Sequence, residues 1–248
     1  SSIVARISPA AAAQCFRRAS MGRERVILVT GGNRGIGLEV VKSILQQQPD
    51  VFVFLGCRDM DAGRKLVDEL RQVHGARVEA LELDVAVPAS IAGAARAVEA
   101  SGRSVDILVN NAGILLDSDG APYDPDAVIE MLRVNFEGVV AVTEAFLPML
   151  TASSSGGQVL ATSSGTATRG MGLVSDRHRE ALLDPNLTLP MLRSILDEIA
   201  DALKNPNCSY HSIPSVGYTL SKMGVNCFTQ LLARAAVVHI CEDFEHCL

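Results

Sequence analysis

Short apolar runs alternate with helical patterns through the first two thirds of the chain, and this alternation constrains the fold more than any other feature. Between the runs, apolar residues recur at helical spacing, as at Leu66, Leu70 and Val73. Because helices follow strands in turn, we predict an α/β fold, a doubly wound parallel sheet with helices on both faces. The predicted strands are residues 26–29, 51–55, 78–83, 107–110 and 158–162.

The size and charge of the chain favour one domain that binds a small molecule. Its 248 residues suit a single α/β domain, which we assign to residues 24–248. The formal net charge is −6 and Lys and Arg form no block, which argues against nucleic acid or an acidic membrane surface as partner. No apolar run reaches the roughly 18 residues of a membrane span. The six cysteines form no C-x-x-C pair, and we predict neither a disulfide framework nor a bound metal.

A polar, helical segment over residues 165–217 interrupts the alternation, and we interpret it as an insertion into the sheet domain. We expect a helical hairpin or one helix with long arms. Its apolar face, after Pro190, is predicted to comprise Leu192, Ile195, Leu196, Ile199 and Leu203.

Residues 1–23 are basic, rich in Ala and Ser, and contain no acidic side chain. That composition is typical of an organelle transit segment, although a disordered extension would have the same features. We therefore expect a cytoplasmic protein, or one of an organelle matrix if the segment is a transit peptide.

A glycine-rich turn directly follows the first predicted strand. In Thr30-Gly31-Gly32-Asn33-Arg34-Gly35-Ile36-Gly37, glycines let the backbone pass sharply from strand to helix, so that free amide groups can face a pyrophosphate. A turn that merely connects strand and helix is the alternative. The candidate cofactor-binding residues here are Gly31, Asn33, Arg34, Gly35, Ile36 and Gly37.

Further motifs follow the later strands, where a doubly wound sheet collects its ligand-binding residues. In chain order they are Asp84-Val85, Asn110-Asn111-Ala112-Gly113, Ser163-Ser164 and Tyr218-Thr219-Leu220-Ser221-Lys222. Together with the glycine turn, this set resembles the short-chain dehydrogenase/reductase family. The string L-V-T-G-G-N-R-G-I-G, the pair Arg58-Asp59 and the insertion are most similar to its carbonyl reductases. The resemblance implies a Rossmann-like fold and a nicotinamide cofactor.

Tyr218 and Lys222 are the candidate proton-transfer pair. Four residues apart on a helix, they share one face, and the ammonium should lower the phenol pKa from about 10. Tyr218 is then the general acid that protonates a carbonyl oxygen. Ser164, with Ser163 as its rival, would stabilise charge on that oxygen. By the resemblance, Asn135 is the fourth catalytic residue and supports a water leading to Lys222, which also holds the nicotinamide ribose.

Two arginines indicate the cofactor. Arg58 stands where an NAD enzyme usually carries a carboxylate for the ribose, and Arg34 lies inside the glycine turn. Both suit a 2'-phosphate, so NADPH is favoured over NADH, although Asp59 could complicate this interpretation. The resemblance further implies that Asp84 and Val85 lie near the adenine. It also implies that Asn111 and Ala112 line the cofactor and that Gly113 permits close backbone approach.

The last residues depart from the family pattern. Residues 237–241 could form a short sixth strand, but no Pro-Gly substrate loop follows, and we expect a truncated C-terminus. Two functions are therefore open. One is NADPH-dependent reduction of an aldehyde, ketone or quinone by a monomer whose insertion covers the face that family oligomers pair. The other is a catalytically impaired, structural or NADPH-sensing subunit of a larger assembly.

Overall fold

The computed structural model describes residues 24–117, 123–154 and 156–235, and the backbone of His239–Ile240. These residues fall into two compact units. The sheet unit comprises the described parts of Ser1–Ala112, Ala141–Thr162 and Val237–Leu248. The helical unit comprises those of Gly113–Val140 and Ser163–Ala236. The assignment of one domain to residues 24–248 stays a prediction.

The sheet unit contains a parallel sheet in the order β3-β2-β1-β4-β5-β6. In register, Val29 lies between Leu55 on one neighbouring strand and Val109 on the other. The doubly wound parallel fold predicted from the alternation is confirmed, and the short sixth strand is present over two residues. The strands are β1 (Arg25–Thr30), β2 (Val51–Cys57), β3 (Val78–Glu82), β4 (Ile107–Asn110), β5 (Gln158–Ala161) and β6 (His239–Ile240).

Three helices lie wholly in this unit between strands, namely α1 (Gly35–Gln47), α2 (Met60–His74) and α3 (Pro88–Ala100), and residues 141–152 of a further helix also belong to it. Alternate residues of β1 are buried on opposite faces of the sheet, which explains the continuous apolar runs. The helical spacing of Leu66, Leu70 and Val73 correctly predicts α2, although Val73 is 76% exposed. Its buried face is formed by Gly63, Val67 and Leu70, and Leu66 packs partly buried against the same core.

The helical unit is built around one long helix. Its elements are α4 (Pro125–Met131), a π-helical segment (Leu132–Glu137), the first three residues of α5 (Gly138–Ala152), α6 (Gly165–Met171), α7 (Asp176–Leu183), α8 (Leu189–Ala202), a 3₁₀ turn (Ser209–Ser212) and α9 (Val216–Arg234). The nineteen-residue α9 contacts α4, α6, α8 and the π-helical segment. Gly224 allows this packing, since a Cβ there would lie 2.8 Å from Leu196 and 2.9 Å from Phe136.

The insertion holds three helices, so the expected hairpin or single helix is wrong. Each helix begins at its own capping side chain: Ser164, Ser175 and Thr188 accept bonds from backbone N–H groups two or three residues later. These short signals divide a segment whose periodicity is strong only in α8. The predicted apolar face of α8 is confirmed, because all five of its residues are at most 8% exposed.

Several expectations concern residues outside the described ranges or remain open. Residues 1–23 and most of the segment after residue 235 are not described. Within the described ranges, no three metal-binding side chains cluster. The continuous helical stretch Pro125–Ala152 is long enough, and on average apolar enough, to cross a membrane, but 61% of its most apolar window is buried, as in a core helix.

Candidate active site

The glycine turn joins β1 to α1 in the sheet unit. Gly31 and Gly35 have φ of +63° and +55°, a region that side chains rarely adopt. A Cβ on Gly37 would lie 2.3 Å from the Gly31 carbonyl oxygen, so the turn closes only around glycine. No described atom lies within 4 Å of a Cβ built on Gly35. The turn is therefore tight at one end and open at the other.

The N-terminus of α1 has features that suit an anion. Arg34, at the N-cap, has extended backbone, and its side chain caps no N–H of this fully described helix. The first turn of α1 carries no acidic residue. Exposed amide groups and the positive end of the helix dipole are what a pyrophosphate requires. Asn33 is half-buried and Ile36 is 59% exposed at this end of the helix.

The segment after β4 fastens the base of the turn. Asn111 Nδ2 donates to the carbonyl oxygens of Thr30 (3.1 Å) and Gly31 (3.3 Å). Thr30 Oγ1 accepts from the backbone N–H groups of Asn111 and Ala112, both at 2.9 Å. Sequence reasoning assigned no role to Thr30, although a hydroxyl directly before the first glycine was the available signal. Asn111 thus holds the turn, whatever further contact it makes with a cofactor.

The two arginines that are predicted to select the cofactor, Arg34 and Arg58, are both exposed. Arg58 follows β2, and its neighbour Asp59 is engaged locally, because Asp59 Oδ1 accepts from Ala62 N at 3.0 Å as the N-cap of α2. Asp84 is half-buried and accepts from Ala86 N at 2.9 Å, in a turn that also contains half-buried Val85. Asp59, the carboxylate next to Arg58, therefore uses one of its oxygens to cap α2.

Tyr218 lies in the first turn of α9 in the helical unit, half-buried and hydrogen-bonded to the side chain of Ser164. Ser164 Oγ also accepts from Thr166 N (3.3 Å) and Thr166 Oγ1 (3.0 Å). A hydroxyl has two acceptor sites and one proton, so these two bonds leave the Ser164 proton for the Tyr218 oxygen. The proton of Tyr218 is then available to a third group. Ser163 Oγ, the rival, is buried with no hydrogen-bond partner among the described residues.

Lys222 lies one turn further along α9, 3% exposed, with Nζ 5.6 Å from the centre of the Tyr218 ring. Burial lowers the pKa of Lys222 to about 8. Burial also raises the pKa of Tyr218, and the bond from Ser164 only partly opposes this. The expectation that the phenol pKa lies below its ordinary value is therefore wrong, because desolvation of the half-buried ring raises it by more than the bond from Ser164 lowers it.

Asn135 is completely buried in the π-helical segment. Its Oδ1 accepts from Ile114 N (2.7 Å), and its Nδ2 donates to Ile114 O (2.8 Å) and Ser221 Oγ (3.0 Å). Both protons of the Asn135 side-chain amide are used within the protein. Asn135 could therefore bind a water only as an acceptor, through one of its oxygens. A π-helical turn is rare and often marks a functional site. A Cβ on Gly113 would lie 3.2 Å from Asn135 Oδ1, a tight contact, and 3.7 Å from Lys222 Nζ, so a larger residue at this position would crowd Asn135.

The predicted residues thus form two groups, one in each unit. The sheet unit carries the glycine turn, Arg58, Asp84, Val85, Asn111 and Ala112, and the helical unit carries Gly113, Asn135, Ser164, Tyr218 and Lys222. Sequence reasoning missed Thr166 and Ser221, which bond directly to Ser164 and Asn135. Their spacing of two residues and of one helical turn from motif residues was the only signal.

Comparison with known proteins identifies the family of the chain. The chain is 32% identical to short-chain dehydrogenase/reductase 1 from Saponaria officinalis, over 86% of this chain and 78% of the relative. It is 30% identical to carbonyl reductase [NADPH] 3 from Rattus norvegicus, over 85% and 74% of the two chains. The solved structure of salutaridine reductase from Papaver somniferum superposes with a TM-score of 0.76 at 26% identity, covering 87% of this chain and 85% of that one. The family model for short chain dehydrogenase matches residues 25–175, which confirms the resemblance predicted from the motifs. The chain belongs to the short-chain dehydrogenase/reductase family of oxidoreductases.

Proposed function

We propose that this protein reduces a carbonyl group of an aldehyde, ketone or quinone to an alcohol, with NADPH as coenzyme and Tyr218 as the general acid. The observation that carries the proposal is the side-chain hydrogen bond between Ser164 and Tyr218, with Lys222 one turn further along the same helix. A hydroxyl donor beside a phenol, backed by a buried amine, suits proton delivery to an oxygen that gains charge.

The glycine turn fits a nicotinamide coenzyme. Its open helix end, the free space at Gly35 and the absence of acidic residues from the first turn of the fully described α1 suit a pyrophosphate. Asn111 and Thr30 would keep the turn in this shape during binding. When bound, the coenzyme supplies a hydride to the carbonyl carbon.

NADPH is proposed over NADH because Arg34 and Arg58 are exposed cations that could bind a 2'-phosphate. Arg34 stands at the N-cap of α1 and Arg58 directly after β2. Asp59, the acidic alternative, already accepts the Ala62 N–H. The name of the Rattus norvegicus relative, a carbonyl reductase [NADPH], supports the same choice.

In the proposed reaction Ser164 holds the substrate oxygen, and Tyr218 transfers its proton to that oxygen as negative charge develops there. The raised pKa of Tyr218 keeps this proton in place at neutral pH. Lys222, in its protonated form below about pH 8, favours the resulting phenolate by its positive charge.

Turnover tests this proposal directly. Purified protein should consume NADPH in the presence of an o-quinone or a reactive dicarbonyl compound, and Tyr218→Phe should lower kcat by at least about 100-fold. Tyr123→Phe is a matched control, because Tyr123 is also half-buried in the helical unit. Equal rates for Tyr218→Phe and the unmodified protein would refute the mechanism.

We further propose that the enzyme is a monomer. The insertion helix α8 packs on α9 at Gly224, a face that would otherwise be available to a second subunit. Sedimentation at micromolar concentration should give the mass of one chain. A stable complex with other proteins, without turnover, would instead favour the structural or NADPH-sensing subunit.

A further inference from the structure

We infer that Asp117 is a positioning residue for Tyr218: its carboxylate holds the first turn of α9. Gly217 N donates to Asp117 Oδ2 at 2.7 Å, and Tyr218 N lies 3.4 Å from both carboxylate oxygens. The contact spans a hundred residues of sequence within the helical unit. It rests on the proposed role of Tyr218, which it deepens.

The start of α9 needs such a contact because its local cap is unusual. Ser215, at the N-cap, is the only described non-glycine residue with positive φ, at +43°, and its side chain caps no N–H of the fully described helix. Gly217 is buried, and a Cβ there would lie 2.5 Å from Met131 Cε. A buried N–H without an acceptor is costly, and a strained cap stays in place only when its surroundings fix it. Asp117 provides the missing acceptor.

The segment that carries Asp117 is itself fixed at a second point. Ile114 exchanges two hydrogen bonds with the side chain of Asn135, and Leu116 N lies 3.4 Å from Met131 Sδ. Asn135 in turn donates to Ser221 Oγ, and the Ser221 hydroxyl donates to the backbone carbonyl oxygen of Tyr218 at 2.7 Å. Residues 114–117 therefore join α9 on both sides of Tyr218, through Asn135 at one end and Asp117 at the other.

This arrangement assigns a function to a residue that no family motif contains. Tyr218 is in the first helical turn, where helices fray most readily, yet proton transfer requires its oxygen to stay beside that of Ser164. A carboxylate bonded to the backbone of Gly217 and Tyr218 prevents that fraying. Asp117 bonds to the backbone N–H groups of Gly217 and Tyr218 and not to the phenol that transfers the proton, so its effect is on position.

Three variants test the inference. Asp117→Ala should lower kcat by about 10- to 100-fold while KM for NADPH changes less than about threefold. Asp117→Asn keeps an acceptor oxygen without the charge and should recover most of this loss. Asp184→Ala is the matched control: it removes a carboxylate that accepts a backbone N–H at 2.7 Å in the same unit, from Asn186, and kcat should stay within about twofold.

Hydrogen–deuterium exchange separates this inference from the proposed function. The peptide covering the start of α9 should exchange faster in Asp117→Ala, and at the original rate in Asp184→Ala, whether or not the chain turns over. Unchanged exchange in Asp117→Ala would overturn the inference. So would an Asp117→Asn variant whose kcat is as low as that of Asp117→Ala. A wild-type chain without turnover would refute the proposed function, and the exchange rates would still decide whether Asp117 holds the helix.

Discussion

The two helix starts that carry the candidate chemistry are built in opposite ways. At α1 the N-cap residue Arg34 leaves the amide groups open, and no acidic side chain stands in the first turn of this fully described helix. At α9 the N-cap residue Ser215 also fails to cap, but Asp117 closes the helix end from a distant part of the chain. An open helix end attracts an anion, whereas a closed one is held in place. The first suits coenzyme binding, and the second suits a side chain that must not move.

The largest effect is expected where the open end is tightest. In Gly37→Ala the new Cβ would lie 2.3 Å from Gly31 O and 2.5 Å from Asn111 Nδ2, and both atoms are tied by hydrogen bonds. We expect the free energy of unfolding to fall by about 3 kcal/mol and NADPH binding to be lost.

Gly35→Ala is the matched control for this clash. Its Cβ meets no described atom within 4 Å, so only the positive φ is strained, at about 1 kcal/mol. Denaturant unfolding and NADPH titration of both variants measure the difference. Equal losses would show that the turn is not held as described.

Closing the open end should convert one kind of helix start into the other. Arg34→Asp places an acceptor and a negative charge at the N-cap of α1, so the unliganded chain should gain about 1 kcal/mol of stability. NADPH should bind about 100-fold more weakly, because the carboxylate competes with the pyrophosphate. Arg34→Ser, which caps without charge, should weaken binding less. A variant that gains stability and binds NADPH normally would break the comparison.

At the closed helix, α9, the buried Lys222 predicts how kcat/KM depends on pH. Lys222 is charged below its pKa of about 8 and neutral above it, so kcat/KM should fall about tenfold per pH unit above that value. A phenol with a raised pKa would produce a fall only above pH 10, so the position of the limb identifies the group. Between about pH 8 and the ordinary lysine value of 10.5, the unfolded chain binds more protons at this residue. Its contribution therefore increases stability as pH rises through that window.

The smallest effect is expected at the exposed arginine after β2. Arg58→Ala should weaken NADPH binding about fivefold and leave NADH binding unchanged. The variant loses only the contact of Arg58 with the 2'-phosphate, which NADH does not have. The difference should shrink at high salt. Equal weakening for both coenzymes would place Arg58 outside the phosphate site.

Local patterns in the sequence predicted the sheet well and the start of α9 poorly. β4 has the predicted bounds, and the α8 face from Leu192 to Leu203 is buried as expected, because periodicity records burial directly. The π-helical turn at Asn135 and the contact from Asp117 depend on residues far apart in sequence, which no local pattern contains. The prediction for the pKa of Tyr218 was wrong for a related reason: sequence spacing places a lysine one turn away but does not show how far burial raises the pKa of the phenol.

A fluorescence titration of the intact chain with NADPH and NADH tests the central claim most directly, namely that the open start of α1 holds a phosphorylated nicotinamide coenzyme. The account predicts saturable binding of NADPH, at least about tenfold tighter than that of NADH. Equal affinities would contradict the roles of Arg34 and Arg58, and binding of neither coenzyme would contradict the claim itself.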